Sequence, residues 1–492
     1  MFETAEIGSE IDKATYAQQA PEVRARLLAA QTQLGANANF STIILIGGVE
    51  GAGKTETVNV LLEWMDARGI RTLTYGAPSE DEASRPEYWR YWRSLPPKGR
   101  MAIIFGSWYT SPIVERAFDR EDQARFDQRL DRIIDFERML SNENVLLVKF
   151  WMHIAKKEQK KRLKQLSRDP LQSWRVSKRD WKFFDRYDEF RKVSEHALRR
   201  TSTGEAPWQI VEATDERYRT LTVTKTLLGA LEDRLAASKV KAEKPKASFP
   251  KPRPNNVLRQ LDMKSSLDKK EYGKKVLKHQ GKIARLTRHL AEKGRSMVLV
   301  FEGPDAAGKG GAIRRVTGSM DARAYEVNSV AAPTDEERAR PYLWRFWRNI
   351  PRIGRVCIFD RSWYGRVLVE RIEGFCAPQD WQRAFAEINS FEEQLVESGV
   401  VLRKFWIHIT AEEQLKRFQD RQETPYKQYK ITEEDWRNRA KWEAYEAAAV
   451  DMFEKTSTEE APWVLIEGND KNWARVKLLK TVAAALEGVV EE

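Results

Sequence analysis

Two stretches of the chain carry the groups that phosphate chemistry needs. In Gly303-Pro304-Asp305-Ala306-Ala307-Gly308-Lys309-Gly310, two glycines separated by four residues precede a lysine, the spacing of a phosphate-binding loop. Glycines there let backbone N–H groups turn inward around phosphate oxygens, and a following helix adds partial positive charge. The Ser or Thr that completes this motif as a Mg²⁺ ligand is replaced by Gly310. In the second stretch, apolar Val356-Cys357-Ile358-Phe359 runs into Asp360-Arg361-Ser362. A carboxylate at the carboxyl edge of a strand, beside a phosphate loop, is where a phosphate-bound Mg²⁺ needs a ligand. An adjacent arginine can stabilise charge on a phosphoryl group in transfer.

The chain contains this arrangement twice, in two states of repair. Gly48-Val49-Glu50-Gly51-Ala52-Gly53-Lys54-Thr55 repeats the loop, and 309 − 54 gives an offset of 255. The same offset links Ser107-Trp108-Tyr109 to Ser362-Trp363-Tyr364, His153 to His408, and Pro207-Trp208 to Pro462-Trp463. Matches held in one register mark a tandem repeat of a whole domain. Each copy is therefore a control for the other. By loop pattern alone the first copy is the better site, because Lys54-Thr55 completes the motif. The second stretch reverses that choice. Phe105 and Gly106 stand where the second copy has Asp360 and Arg361, and Glu50 stands for Asp305. We therefore expect the second copy to be catalytic and the first to be degenerate.

Further differences follow the same rule. Arg421 becomes Leu166, Lys427 becomes Gln172 and Lys430 becomes Arg175, in a basic stretch that suits a lid closing over phosphates. Arg366 has Ser111 as its counterpart and joins the candidates. Trp363, Tyr364, Glu370 and Arg371 recur as Trp108, Tyr109, Glu115 and Arg116, so the fold itself can account for them. A basic-aromatic run (Arg338, Arg340, Trp344, Arg345, Trp347, Arg348, Arg352, Arg355) has two readings. It lines a polyanion channel, or its tryptophans face the core while its arginines snorkel to water.

The elements that position these groups are legible as apolar strands alternating with helical stretches. Strand candidates are Thr42–Ile46, Arg71–Tyr75, Met101–Phe105, Val145–His153 and Trp208–Val211 in the first copy. In the second they are Met297–Phe301, Tyr325–Val330, Val356–Phe359, Val400–His408 and Trp463–Ile466. Such alternation predicts an α/β fold with a buried parallel sheet flanked by helices, present twice in tandem. A basic, proline-rich stretch from Lys239 to Pro254 reads as a linker. The expected domains are residues 1–236 and 255–492, joined by 237–254.

Composition limits the partners. The 492 residues carry a formal net charge of +12, more than two ordinary domains need, which points to a polyanion: nucleic acid, an anionic membrane or a phosphate polymer. No apolar run is long enough to span a bilayer, and no nucleic-acid-binding module accompanies the basic residues, so neither membrane nor nucleic acid is expected as a partner. No secretion signal is visible, and Cys357 and Cys376 have no metal or disulfide spacing, so we expect a reduced, cytoplasmic protein. A homo-oligomer is compatible with the sequence, which leaves the oligomeric state open.

At this point the residues resemble the polyphosphate kinase 2 family. The carriers are Gly303 to Gly311, the run from Asp360 to Arg371 (Asp-Arg-Ser-Trp-Tyr-Gly-Arg-Val-Leu-Val-Glu-Arg), the Arg421 to Lys430 stretch, and the prelude Leu267-Asp268-Lys269-Lys270-Glu271-Tyr272. The resemblance covers nearly all of both halves, and the tandem arrangement is similar to the family's two-domain members that phosphorylate AMP. It implies a P-loop kinase core with a helical lid, with inorganic polyphosphate and AMP/ADP as substrates and Mg²⁺, or Mn²⁺ in its place, as cofactor. It implies that Asp305 and Asp360 organise the metal and the acceptor phosphate, that Lys309 and Arg361 neutralise the transferring phosphoryl, and that Arg421 is the lid cation. Gly303, Ala306, Ala307, Gly308, Gly310, Gly311, Arg366, Glu370, Lys427 and Lys430 are then expected around the phosphates and nucleotide. Other readings are the related ADP-to-ATP activity, an ATP-dependent kinase, and a non-enzymatic polyphosphate- or nucleic-acid-binding regulator.

Overall fold

The computed structural model describes residues 1–37, 39–237, 247–425, 428 and 431–491. The chain divides into two compact units. The first comprises Met1–Pro78, Tyr91–Ala242 and Pro333–Trp344; the second comprises Ser79–Arg90, Glu243–Ala332 and Arg345–Glu492. Each unit thus includes a short segment from the other half of the sequence.

The first unit is built on β1 (Ser41–Gly48), β2 (Ile70–Thr74), β3 (Met101–Phe105), β4 (Val145–His153) and β5 (Trp208–Glu212), in the order β2-β3-β1-β4-β5. The second is built on β6 (Ser296–Glu302), β7 (Tyr325–Ser329), β8 (Val356–Asp360), β9 (Val400–His408) and β10 (Trp463–Glu467), in the same order, β7-β8-β6-β9-β10. Every pairing is parallel. The central strands β1 and β6 are apolar on both faces because helices cover both; all seven residues of β6 are buried. Met297, Leu299 and Phe301 of β6 join Ile283, Leu479 and Leu486 of the covering helices in one core.

The tryptophans of the basic-aromatic run take the core reading. Trp344 and Trp347 are buried, Arg340 stacks on Trp344 at 4.4 Å, and Arg348 and Arg352 are exposed. Trp363 and Tyr364 likewise serve the fold. Both donate to the buried carboxylate of Glu392, at 2.9 and 2.6 Å, and Glu392 accepts from Lys404 Nζ at 2.7 Å. The first unit repeats the network with Trp108, Tyr109, Glu137 and Lys149. A charged pair so deep in a core persists only when its hydrogen bonds are filled, and here both copies fill them alike.

What positions the site is the sheet's switch point. β6 lies between β8 and β9, so the loop leaving β6 and the turn leaving β8 open side by side at the carboxyl edge.

Candidate active site

The loop after β6 begins at Gly303, whose φ of +142° and close approach to the Ile407 carbonyl leave no room for a Cβ. It ends at Gly308, also left-handed, which starts the helix Lys309–Thr317. Lys309 folds back over the loop and donates to the carbonyls of Gly303 (2.6 Å) and Pro304 (3.1 Å). The loop is fixed from the other side by Arg417, on the helix Ala411–Glu423, which donates to the carbonyls of Ala306 and Ala307 at 3.0 Å each.

Three carboxylates and two cations meet here. Arg361 Nη2 donates to Asp305 Oδ1 at 3.0 Å, and Asn438 Nδ2 donates to Asp305 Oδ2 at 2.9 Å. Burial alone would raise the Asp305 pKa, but Lys309 and Arg361 outweigh it and hold the carboxyl below its usual range. Burial pushes Lys309 down despite Asp305 and Asp360 nearby. The third carboxylate is Glu302, buried at the end of β6, which accepts from Ser362 Oγ at 2.8 Å and is raised by burial. Asp360 ends β8 and acts electrostatically on Glu302, Lys309 and Arg361, but its side chain makes no hydrogen bond or ion pair among the described residues.

Two non-glycine residues of the site are left-handed: Ala306 at φ +62° and Arg361 at φ +63°. Their counterparts, Gly51 and Gly106, are left-handed as well. The second unit therefore holds side chains where the backbone favours glycine, at roughly 1–2 kcal/mol each. Such strain collects where a side chain is needed for function.

Sequence reasoning missed a polar chain behind Asp305. Asn438 carries on to the Tyr445 hydroxyl, which lies 3.2 Å from Asn438 Oδ1 and 3.3 Å from Glu373 Oε1. Glu373 also accepts from Lys441 at 2.7 Å and pairs with Arg437 at 3.3 Å. At an offset of 255, Asn438, Tyr445 and Glu373 become Phe183, Phe190 and Phe118. In the first unit those three rings pack edge to face, with centroids 5.2 and 5.9 Å apart. The repeat held this signal, and so it did for Glu302, whose counterpart is Gly47.

The chain's cleft opens on this edge. Gly303, Asp305, Arg361 and Asn438 line it together with Leu258, Trp406, His408 and Trp442. Its cavity volume is about 110 Å³, while that of the corresponding space of the first unit, bounded by Val49, Glu50, Phe183 and Phe190, is about 10 Å³. The first unit's loop is also neutralised from within. Lys54 pairs with Glu50 at 3.1 Å, Glu56 (for Gly311) pairs with Arg175, and the buried Arg219 (for Ala474) lies against Gly53.

Of the expected residues, the structure brings together the loop from Gly303 to Gly311 with Lys309, Asp305, Asp360 and Arg361. Arg366 and Glu370 pair with each other at 2.8 Å and do not line the cleft. Arg421 sits one turn beyond Arg417 on the same helix and is also outside the cleft lining. Lys427 and Lys430 lie outside the described residues. Among the described residues no group of three or more His, Cys, Asp or Glu side chains forms a metal cage. Asp305, held ionised, and Asp360, with no partner of its own, still fit a Mg²⁺ that takes one or two carboxylates and completes its shell with substrate oxygens. No helix among the described residues is long and apolar enough to cross a membrane.

Comparison with known proteins places this geometry. The family model described as Polyphosphate kinase 2 matches residues 10–239 and again 266–491. A polyphosphate:AMP phosphotransferase of Pseudomonas aeruginosa is 52% identical over 494 residues, covering 100% of both chains. A polyphosphate:AMP phosphotransferase of Acinetobacter johnsonii is 38% identical over 454 residues, covering 91% of each. A Pseudomonas aeruginosa crystal structure assigned to polyphosphate kinase 2 superimposes with a TM-score of 0.90 at 49% identity, covering 100% of this chain and 99% of its own.

Proposed function

Since the chain belongs to the polyphosphate kinase 2 family through both of its halves, we propose that its second half transfers the terminal phosphoryl group of inorganic polyphosphate to AMP, yielding ADP and a polymer one phosphate shorter. An oxygen of the AMP phosphate attacks the terminal phosphorus, the bond to the bridging oxygen breaks, and the shortened chain leaves with that oxygen's negative charge. No proton need move in that exchange, so the work is positioning and charge neutralisation. Lys309 and the loop amides face the phosphates from below, and Arg361 faces them from the end of β8.

Arg361 is paired with Asp305. A phosphate entering the site competes with Asp305 for that guanidinium, and Asn438 keeps the released carboxylate in place. Asp305 and Asp360 would hold a Mg²⁺, which when bound neutralises phosphate charge. The observation that carries this reading is the cleft itself, whose lining joins the ionic Asp305 and Arg361 with the apolar Leu258, Trp406 and Trp442. That polarity suits a nucleoside monophosphate and not a bare polymer. AMP as the acceptor is supported by the full-length relatives named above.

An acceptor panel tests this. Purified protein is given polyphosphate and Mg²⁺ with AMP, GMP, ADP or GDP, and products are resolved by chromatography. ADP from AMP is expected. ATP from ADP with no reaction of AMP would overturn the assignment of the acceptor, and undiminished turnover in EDTA would overturn that of the metal.

A further inference from the structure

Part of the apolar lining of the cleft does not come from the kinase core. Leu258 belongs to the segment 253–261, upstream of the helix Lys269–Leu286, yet it is fully buried and lines the same cleft as Asp305. The segment is anchored to one helix at two points, the first being Arg253 Nη1, which donates to Glu454 Oε1 at 3.1 Å. Glu446, on the helix Trp442–Thr456, accepts from Asn256 Nδ2 and from Arg259 Nε, each at 2.7 Å. Asn256, itself buried, turns the backbone by accepting from the amides of Leu258 (3.0 Å) and Arg259 (3.2 Å) through its own side-chain oxygen. Glu446 thus sets the position of Leu258 through two donors, and it also lines the cleft.

His408 stands at the end of β9. It is 9% exposed and lines the cleft; its side chain makes no hydrogen bond among the described residues, and its Nδ1 is buried without a partner. The Nδ1 of its counterpart His153 is likewise buried without a partner, so the two histidines differ at Nε2.

The first unit shows the same place closed. At an offset of 256, the offset of the preludes, Leu258 corresponds to Phe2. Phe2 is fully buried and lies flat on His153, the counterpart of His408, with ring centroids 4.5 Å apart and an interplanar angle of 6°. His153 Nε2 meets Glu6 Oε1 at 2.7 Å. One copy therefore covers its histidine with an aromatic plug and a carboxylate. The other holds a leucine there, and the histidine faces an open cleft.

We propose that the segment 253–261 is the back wall of the nucleoside half of the acceptor site: Leu258 packs against the base and ribose of a purine nucleoside monophosphate, His408 hydrogen-bonds its ribose or base, and Glu446 is the positioning residue that fixes the wall. This rests on the reading of AMP as acceptor.

Leu258→Phe, which reproduces the plug of the first copy, separates this role from a structural one. AMP binding is measured by calorimetry on the full chain, and KM for AMP, KM for polyphosphate and kcat by ADP formation. Leu258→Phe is expected to weaken AMP binding and raise its KM by about tenfold or more, with the polyphosphate KM within about twofold of wild type. Glu446→Gln should move the AMP KM in the same direction, while Leu258→Met restores it. Ribose 5-phosphate, which lacks the base, should bind wild type much more weakly than AMP, and Leu258→Phe should narrow that gap. Unchanged AMP affinity in Leu258→Phe, or equal shifts in both KM values, overturns the wall. If wild type binds AMP but does not phosphorylate it, the proposed function fails, and the wall is still decided by the calorimetry. If wild type binds no nucleotide, both fail.

Discussion

Arg361→Gly gives the second copy the residue that the first copy carries as Gly106, and it separates what this position does for folding from what it does for phosphate. Arg361 is left-handed at φ +63°, so glycine relieves roughly 1–2 kcal/mol of backbone strain. Against this, glycine adds unfolded-state freedom costing about 0.5–1 kcal/mol. The Arg361–Asp305 pair is also lost, but with the arginine side chain 48% exposed it is worth at most about 1 kcal/mol after solvent screening. These contributions nearly cancel, so folding stability should stay within about 1 kcal/mol of wild type. Activity should not. Losing one preorganised cation aimed at developing phosphoryl charge costs about 3 kcal/mol, or roughly 100-fold in kcat. Denaturant unfolding gives the first quantity and single-turnover ADP formation the second. A variant that keeps more than a tenth of wild-type kcat, or that loses several kcal/mol of stability, would show that Arg361 holds the fold and not the phosphate.

Three other outcomes follow from the same geometry. Asn438→Phe, the first copy's Phe183, should lower kcat about tenfold or more with the KM for polyphosphate little changed, because Asp305 loses the donor that keeps it in place when Arg361 turns to phosphate; an unchanged kcat would refute the polar chain. Polyphosphate affinity should fall steeply as salt rises from low to physiological concentration, since a chain of net charge +12 releases condensed counterions from the polymer; a flat salt profile in a binding assay would leave only local contacts at the loop. Burial pushes His408 down to about 4 from an ordinary 6.5, so between these values the unfolded chain binds the extra proton and stability falls with falling pH. That contribution is complete above pH 6.5 and is lost as pH drops through 4, about 3 kcal/mol in all. His408→Asn should flatten that limb in pH-dependent thermal melts, and an unaltered slope would refute the assignment.

The fold was legible because both copies repeat the same apolar strands, and strand ends shifted by only a residue or so. β8 runs one residue past the expected Phe359 to include Asp360, and β7 stops at Ser329 and not Val330. The charged half of the site was legible for a different reason. Asp305, Lys309, Asp360 and Arg361 lie in two short stretches, each directly after a strand, so local sequence places them together. Asn438, Tyr445 and Glu373 were missed because they reach Asp305 from helices more than sixty residues away, and nothing local marks them. Their contrast with three phenylalanines was nevertheless available from the repeat. Leu258 was missed because a lone leucine just past a proline-rich stretch carries no chemical signature; its role arises from where Glu446 holds it. Trp363 and Tyr364 were ambiguous in sequence for the opposite reason, since residues shared by both copies serve both folds.

The central claim is that one copy does the chemistry although the other has the more complete loop motif. ADP formation from AMP and polyphosphate by Lys309→Ala and Lys54→Ala, each verified as folded by circular dichroism and thermal melting, tests it most directly. Lys309 stands alone over its loop carbonyls and faces Asp305, Asp360 and Arg361, whereas Lys54 is already paired with Glu50 beside an aromatic-filled space. Lys309→Ala should lower kcat about 100-fold or more, and Lys54→Ala should leave most of it. If a folded Lys54→Ala protein proves as inactive as Lys309→Ala, both copies take part in turnover and the account is wrong.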